Sequence, residues 1–168
     1  ICGATFPVLL AGIDRTVSGT AALAGAACCT TIVRYGFTTQ GIVLGVLLGL
    51  GAGVLSGVFH GLVLSRFNIP AFLLTLATSE ILYGLVQTVT GNQLINVMKA
   101  DAFNWVGSAR ILDIPVPVYI LLLCFLFTYI VLNHTVYGRD LYCVGGNREA
   151  SKLSGINVKK VIIIAYVI

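Results

Sequence analysis

GIVLGVLLGLGAGVLSGVFHGLVL, residues 41–64, carries no Asp, Glu, Lys or Arg. It is longer than the roughly 20 apolar residues a helix needs to cross a bilayer. Gly41, Gly45, Gly49, Gly53, Gly57 and Gly61 recur in it at every fourth position, with Gly51 between. Small residues at this spacing let helix backbones approach closely in lipid, where apolar surface alone does not drive association. Each four-residue step drifts by about 40° around a helix, so the glycine ridge winds and should meet different neighbours at its two ends. All six glycines are therefore read as packing positions, and Gly53→Leu is expected to destroy assembly.

Outward from this stretch, the composition has the same character. Charged residues make up 10% of the 168 residues, against about 25% in soluble domains, and the mean hydropathy is +1.00. The short alternating segments of a barrel do not dominate. The fold class is all-α, a polytopic transmembrane helix bundle forming one domain over residues 1–168. Further spans are read at 16–33, 69–90 and 115–133, with partial spans at 1–13 and 161–168. Ile1 is not a start methionine and both ends lie inside apolar runs, so the chain is expected to be part of a longer protein. The connector 91–114 carries Lys99, Asp101, Phe103, Trp105, Arg110 and Asp113, the mixture of an amphipathic segment at the membrane interface.

Polar residues within the spans mark a candidate pathway. Thr75, Ser79, Glu80, Tyr83, Gln87 and Thr90 fall within an arc of about 140° on one helix. With Asp14, these residues (Thr90 excepted) are the candidate substrate pathway. An acidic side chain at mid-span costs roughly 2.5–3.5 kcal/mol on insertion scales, so Glu80 needs protein or water around it. A pair with Arg15, beside Asp14, is the expectation. His60 reads as a packed histidine, and Cys2, Cys28, Cys29, Cys124 and Cys143, which contain no C-x-x-C pair, read as small core residues. No phosphate loop, H-E-x-x-H or nucleophile with a base is present. The chain is therefore read as carrying no catalytic residue, metal or cofactor of its own.

The polar island GRDLYCVGGNREASKLSGINVKK, residues 138–160, holds Arg139, Arg148, Lys152, Lys159 and Lys160, five of the ten basic residues. Strict alternation of spans adds Arg66 to that side, against Arg34, Lys99 and Arg110 opposite, so the positive-inside rule makes 134–160 a cytoplasmic loop. Asn147 is a good N-cap, Glu149 lies in the first turn, Lys152 near the end and Gly155 at the stop, which predicts a short helix over 148–154. Leu153 and Ile156 are apolar contacts suited to a groove on a cytoplasmic partner.

The string GRDLYCVGGNREASKLSGINV resembles the cytoplasmic segment of permease subunits of bacterial ATP-binding-cassette importers for ribose and related monosaccharides. GIDRTVSGTAALAG at 12–25, NIPAFLLTLATSEILYGL at 68–85 and IPVPV at 114–118 are similar to segments of that family in the same order, and the resemblance covers about half of a full permease. It implies a translocation subunit that pairs with a second permease, as a homodimer or heterodimer. It also implies two ATPase subunits that hold the ATP and magnesium, a periplasmic sugar-binding protein and a surround of membrane lipid, with no nucleic acid. In that picture Gly145, Gly146, Asn147, Arg148, Glu149, Ala150, Lys152, Leu153, Ser154 and Gly155 couple to the ATPase. Arg15 and Glu80 depart from the family pattern. The alternatives are a permease of similar fold for branched-chain amino acids or nucleosides, and a secondary transporter using Asp14, Arg15 and Glu80 as a relay.

Overall fold

Prolines and a left-handed glycine set several of the helix limits. Pro70 stands at the N-cap of one long helix, Gly91 closes the same helix with φ +61, and Pro115 precedes another. The computed structural model describes residues 2–10, 12–67, 69–97, 107–111 and 113–168. The helices are α1 (Thr5–Leu9), α2 (Val17–Arg34), α3 (Thr39–Arg66), α4 (Ala71–Thr90), α5 (Val116–His134), α6 (Val136–Gly146), α7 (Arg148–Leu153) and α8 (Val158–Val167). Before α5 a small antiparallel hairpin pairs β1 (Arg110–Ile111) with β2 (Ile114–Pro115). Four helices, α2 to α5, are long and apolar enough to cross a membrane. The protein is thus an all-α, multi-span bundle. Lys99, Asp101, Phe103 and Trp105, read above as interfacial, lie outside the described residues.

The centre of the bundle is α3, whose glycines bring in two partners. A Cβ on Gly45 would stand 2.8 Å from the Cys28 carbonyl oxygen, and one on Gly49 3.0 Å from that of Ala24, so the first half of α3 lies against the backbone of α2. A Cβ on Gly61 would stand 2.7 Å from Ile163 Cα, and one on Gly57 would strike the Tyr166 carbonyl, so the second half lies against α8. The midpoints of these glycine pairs are about 120° apart around the helix, at about 100° per residue. Gly53 falls at the changeover, where a Cβ would meet nothing within 4 Å. Its assignment as a packing glycine is therefore corrected: one neighbour has ended there and the other has not begun.

α4 packs on α2 through Thr75, Thr78, Ser79 and Leu82, spaced i, i+3, i+4, i+7. A Cβ on Gly19 would lie 3.2 Å from Ser79 Oγ, which shows how close the two backbones run. The main apolar core joins α1, α3, α6 and α8 through Phe6, Leu10, Leu64, Leu141, Val144, Val161, Ile162 and Ala165. By contrast, α5 buries only Thr128 and leaves Phe125 and Phe127 exposed. Such an all-round apolar helix suits lipid or protein surfaces beyond these residues.

The polar island contains one more helix than the sequence pattern suggested. Tyr137, Leu141 and Val144 recur at i, i+4 and i+7 and turn the inner face of α6 onto α1 and α8. Thr135 caps it, accepting from the Gly138 N–H at 3.2 Å. Glycines at both ends of α6 touch backbone: Gly138 lies on the Val131 and Leu132 carbonyls at the end of α5, and Gly145 on the Leu9 carbonyl of α1.

Candidate functional site

Two features stand out: a cavity inside the bundle and a short helix projecting from it. The cavity, about 410 Å³, opens where the glycine ladder passes between its neighbours, at Gly53. Its polar wall consists of Asp14, Thr16, Thr20, Ser56, His60 and Tyr166. Asp14 sits in the break between α1 and α2, where its Oδ1 accepts from the Thr16 N–H at 2.8 Å and the Thr16 hydroxyl at 2.6 Å. That ties the carboxylate to the first turn of α2, where an anion is favoured by the helix dipole. Across the cavity, Thr20 Oγ1 and Ser56 Oγ are hydrogen-bonded at 3.1 Å. His60 is 1% exposed and its Nδ1 lies 2.6 Å from the Ser56 carbonyl oxygen. A carbonyl only accepts, so Nδ1 carries the proton. Nε2 is buried with no partner among the described residues. The packed-histidine reading covers one ring nitrogen and leaves the other unaccounted for.

The structure divides the candidate pathway residues. Thr75 is fully buried, its hydroxyl 3.3 Å from the Ile13 carbonyl and 3.2 Å from that of Phe72, and Ser79 faces Gly19. These two are interhelical packing groups. Glu80, Tyr83 and Gln87 point away from α2 and are exposed. The arc drawn on the sequence straddles the edge of the contact face. The expected Glu80–Arg15 pair is not formed: both side chains are exposed and neither makes an ion pair among the described residues. Glu80 follows Ser79 by about 100° around α4, which turns it off the face that meets α2. No group of three or more His, Cys, Asp or Glu is placed to hold a metal among the described residues.

The projecting helix is α7. Asn147 caps it, accepting at Oδ1 from the Ala150 N–H at 3.0 Å, and its own carbonyl accepts from the Ser151 hydroxyl at 2.8 Å. Gly155, at φ +84, ends the turn that follows. Ser151 is the single buried residue of α7, whereas Leu153 is 89% exposed. Arg148, at its base, borders a cleft of about 280 Å³ shared with Leu10, Gly12, Leu64, Pro70 and Tyr166. Gly145 and Gly146 end α6 and precede the cap, and Gly145 faces α1, not outward. In the first turn of α6, the Tyr137 hydroxyl donates to the Val161 carbonyl of α8 at 3.3 Å, and burial pushes the phenol above its ordinary pKa.

Four helices long enough to cross a membrane, packed around a half-open cleft whose apolar lining carries a few polar groups, define the class: a multi-span membrane protein. The chain belongs to the family described as branched-chain amino acid transport system / permease component, whose model matches residues 3–168. It is related to permease subunits of bacterial ATP-binding-cassette importers and, with its several apolar spans, is a multi-pass protein of the bacterial inner membrane. Over 168 residues it is 36% identical to the ribose import permease protein of Escherichia coli, which covers 98% of this chain and 51% of that one. It is 30% identical over 167 residues to the L-arabinose transport system permease protein of the same organism, covering 99% and 49%. The fructose import permease protein of Rhizobium meliloti is 33% identical over 171 residues, covering 96% and 46%. The chain thus spans about half the length of these curated relatives. No solved structure matches it.

Proposed function

We propose that this chain forms part of the translocation path of a monosaccharide importer and takes its drive from a separate ATPase through α7. The observation that carries the coupling is the helix itself. It is capped at both ends, rooted by buried Ser151, and presents an 89%-exposed Leu153 beside Lys152. An exposed apolar side chain on a rigid charged peg suits a groove on a cytoplasmic partner. Arg148, Glu149 and Lys152 would set the register of docking, while Gly145 and Gly146 join the peg to the bundle. The loop 134–160 is then cytoplasmic. ATP and magnesium belong to the ATPase pair, and a second permease and a periplasmic sugar-binding protein complete the importer.

The path itself draws on Asp14 at the cavity and on Glu80, Tyr83 and Gln87 on the outer face of α4. A mid-span carboxylate does not face lipid without a cost of roughly 2.5–3.5 kcal/mol, so the facing wall comes from protein beyond these residues. ATP acts by favouring one facing of the path over the other through differential binding. Relatives named for the import of ribose, L-arabinose and fructose favour a monosaccharide over an amino acid. The test is a Lys152→Cys variant of the full importer, crosslinked in native membranes. A product joining permease to ATPase is expected, and a cysteine there that reacts only from the outer face of intact cells removes the coupling role.

A further inference from the structure

We propose that the cavity between the α1–α2 break, α2, α3 and the end of α8 is a binding site for a neutral solute with adjacent hydroxyls, and that His60 is its acceptor. The site deepens the monosaccharide reading above and rests on it. With Nδ1 carrying its proton to the Ser56 carbonyl, the neutral imidazole has a lone pair at Nε2 and no partner for it among the described residues. Such a nitrogen calls for a hydroxyl or amide donor. Asp14 supplies a second acceptor on the same wall, since Thr16 engages only Oδ1. The hydrogen-bonded Thr20 and Ser56 hydroxyls offer groups that both donate and accept. The wall contains no Lys or Arg, and its one carboxylate disfavours an anionic solute. Tyr166 adds a ring face lying at 24° to the imidazole, with centroids 6.4 Å apart. At about 410 Å³ the space is within the roughly 300–1,000 Å³ of small-molecule sites.

In this conformation Nε2 itself is shut off from solvent, so the solute engages it when the wall around His60 opens. His60 would then be a reader of substrate and not merely a filler between α3 and α8. Two substitutions separate these roles. Asn at 60 keeps a donor for the Ser56 carbonyl and empties the Nε2 position, whereas Gln carries an amide to that position.

The test is protection of a thiol in the intact permease. Ala21→Cys, at the cavity wall and exposed, is modified by a small methanethiosulfonate in membranes and read by mass spectrometry of its peptide. Val54→Cys, on the α3 side, is the second reporter. D-ribose should slow modification saturably. His60→Asn should raise the half-protecting concentration about tenfold, the upper end for one net hydrogen bond, and His60→Gln by less than about threefold. Unchanged modification with ribose at both reporters overturns the site, as does equal protection in His60→Asn or equal protection by L-leucine. Ribose uptake that is driven by ATP while protection is absent overturns the site and leaves the transport reading intact. Protection in a protein whose uptake needs no ATPase keeps the site and overturns the coupling.

Discussion

Adding one methyl group along the glycine ladder should have opposite effects at positions four residues apart. At Gly57 a Cβ would strike the Tyr166 carbonyl and stand 3.0 Å from Val167 Cα, both backbone atoms that no side-chain rotation can clear. α8 must then retreat by a fraction of an ångström, and a gap of 0.5–1 Å already forfeits about a quarter to a half of each dispersion contact. Overpacking of this kind costs about 1–3 kcal/mol, and Gly57→Ala belongs at the upper end. Gly45→Ala, 2.8 Å from the Cys28 carbonyl, belongs in the same range, with α2 moving instead. At Gly53 the same methyl meets nothing within 4 Å. There the helix gains roughly 0.5–1 kcal/mol from replacing glycine in its interior. The assay is equilibrium unfolding of the full-length permease in mixed micelles, with Gly45→Ala, Gly53→Ala and Gly57→Ala measured side by side. A Gly53→Ala loss as large as that of Gly57→Ala would refute the assignment of α3 to two neighbours with a gap between them.

Gly53→Leu should fold and place its side chain in the cavity, so that transport falls while the unfolding midpoint stays near that of the parent; loss of the folded protein would show that the space is not there. Asn147→Ala removes the cap of α7 and should weaken that helix by about 0.5–2 kcal/mol, which is read as lower uptake per ATP hydrolysed with the bundle's stability unchanged. Thr75→Val should lower stability and leave substrate selectivity alone, whereas Glu80→Gln should alter uptake and leave the α2–α4 contact alone, as measured by unfolding and by competition uptake. Burial raises the Tyr137 phenol pKa in the folded protein, so above the ordinary phenol value of about 10 the unfolded chain binds fewer protons than the folded one. Stability is therefore full below that value and declines as pH rises beyond it, and Tyr137→Phe should flatten the decline in a pH series of unfolding midpoints.

The long helices and the α7 cap were legible because each rests on local chemistry. Uncharged runs broken by Arg34, Arg66 and His134 bound three of the spans, and Asn147 with Gly155 frames a helix of two turns or less. The glycine drift also conveyed that α3 meets two neighbours. What periodicity could not convey is which side of an evenly apolar helix finds protein. On α4 the decisive signal is small Ser79 opposite Gly19, with Thr75 and Thr78 buried on the same face, which admits close backbone approach. The polar arc cut across that set because hydroxyls serve packing and pathway alike. α6 was hidden by Gly138, Gly145 and Gly146, residues that normally weaken a helix, although two of them are there to let backbones touch. His60 carried a usable sign: Ser56 stands one turn earlier, where its carbonyl can hold Nδ1 and fix which nitrogen is left over.

The two ends of α6 explain how a peg outside the membrane could move a cavity within it. Side chains in contact can absorb displacement by changing rotamer, but Gly138 on the Val131 and Leu132 carbonyls and Gly145 on the Leu9 carbonyl leave no side chain to do so. Between them Leu141 and Val144 are buried against Phe6, Val161 and Ile162. Under the coupling proposed above, a push on α7 would pass through α6 into α1 and α8 as a rigid displacement. α1 leads within a few residues to Gly12 and Asp14, and α8 ends in Tyr166, so both routes arrive at the cavity wall. Gly145→Ala forces α6 off the α1 backbone while leaving Asn147, Leu153 and the docking face of α7 as they are. In the reconstituted importer it should preserve crosslinking at Lys152→Cys and ATP hydrolysis but lower uptake per ATP. A variant that lost hydrolysis and uptake in equal proportion would place the effect in docking and would take α1 out of the transmission.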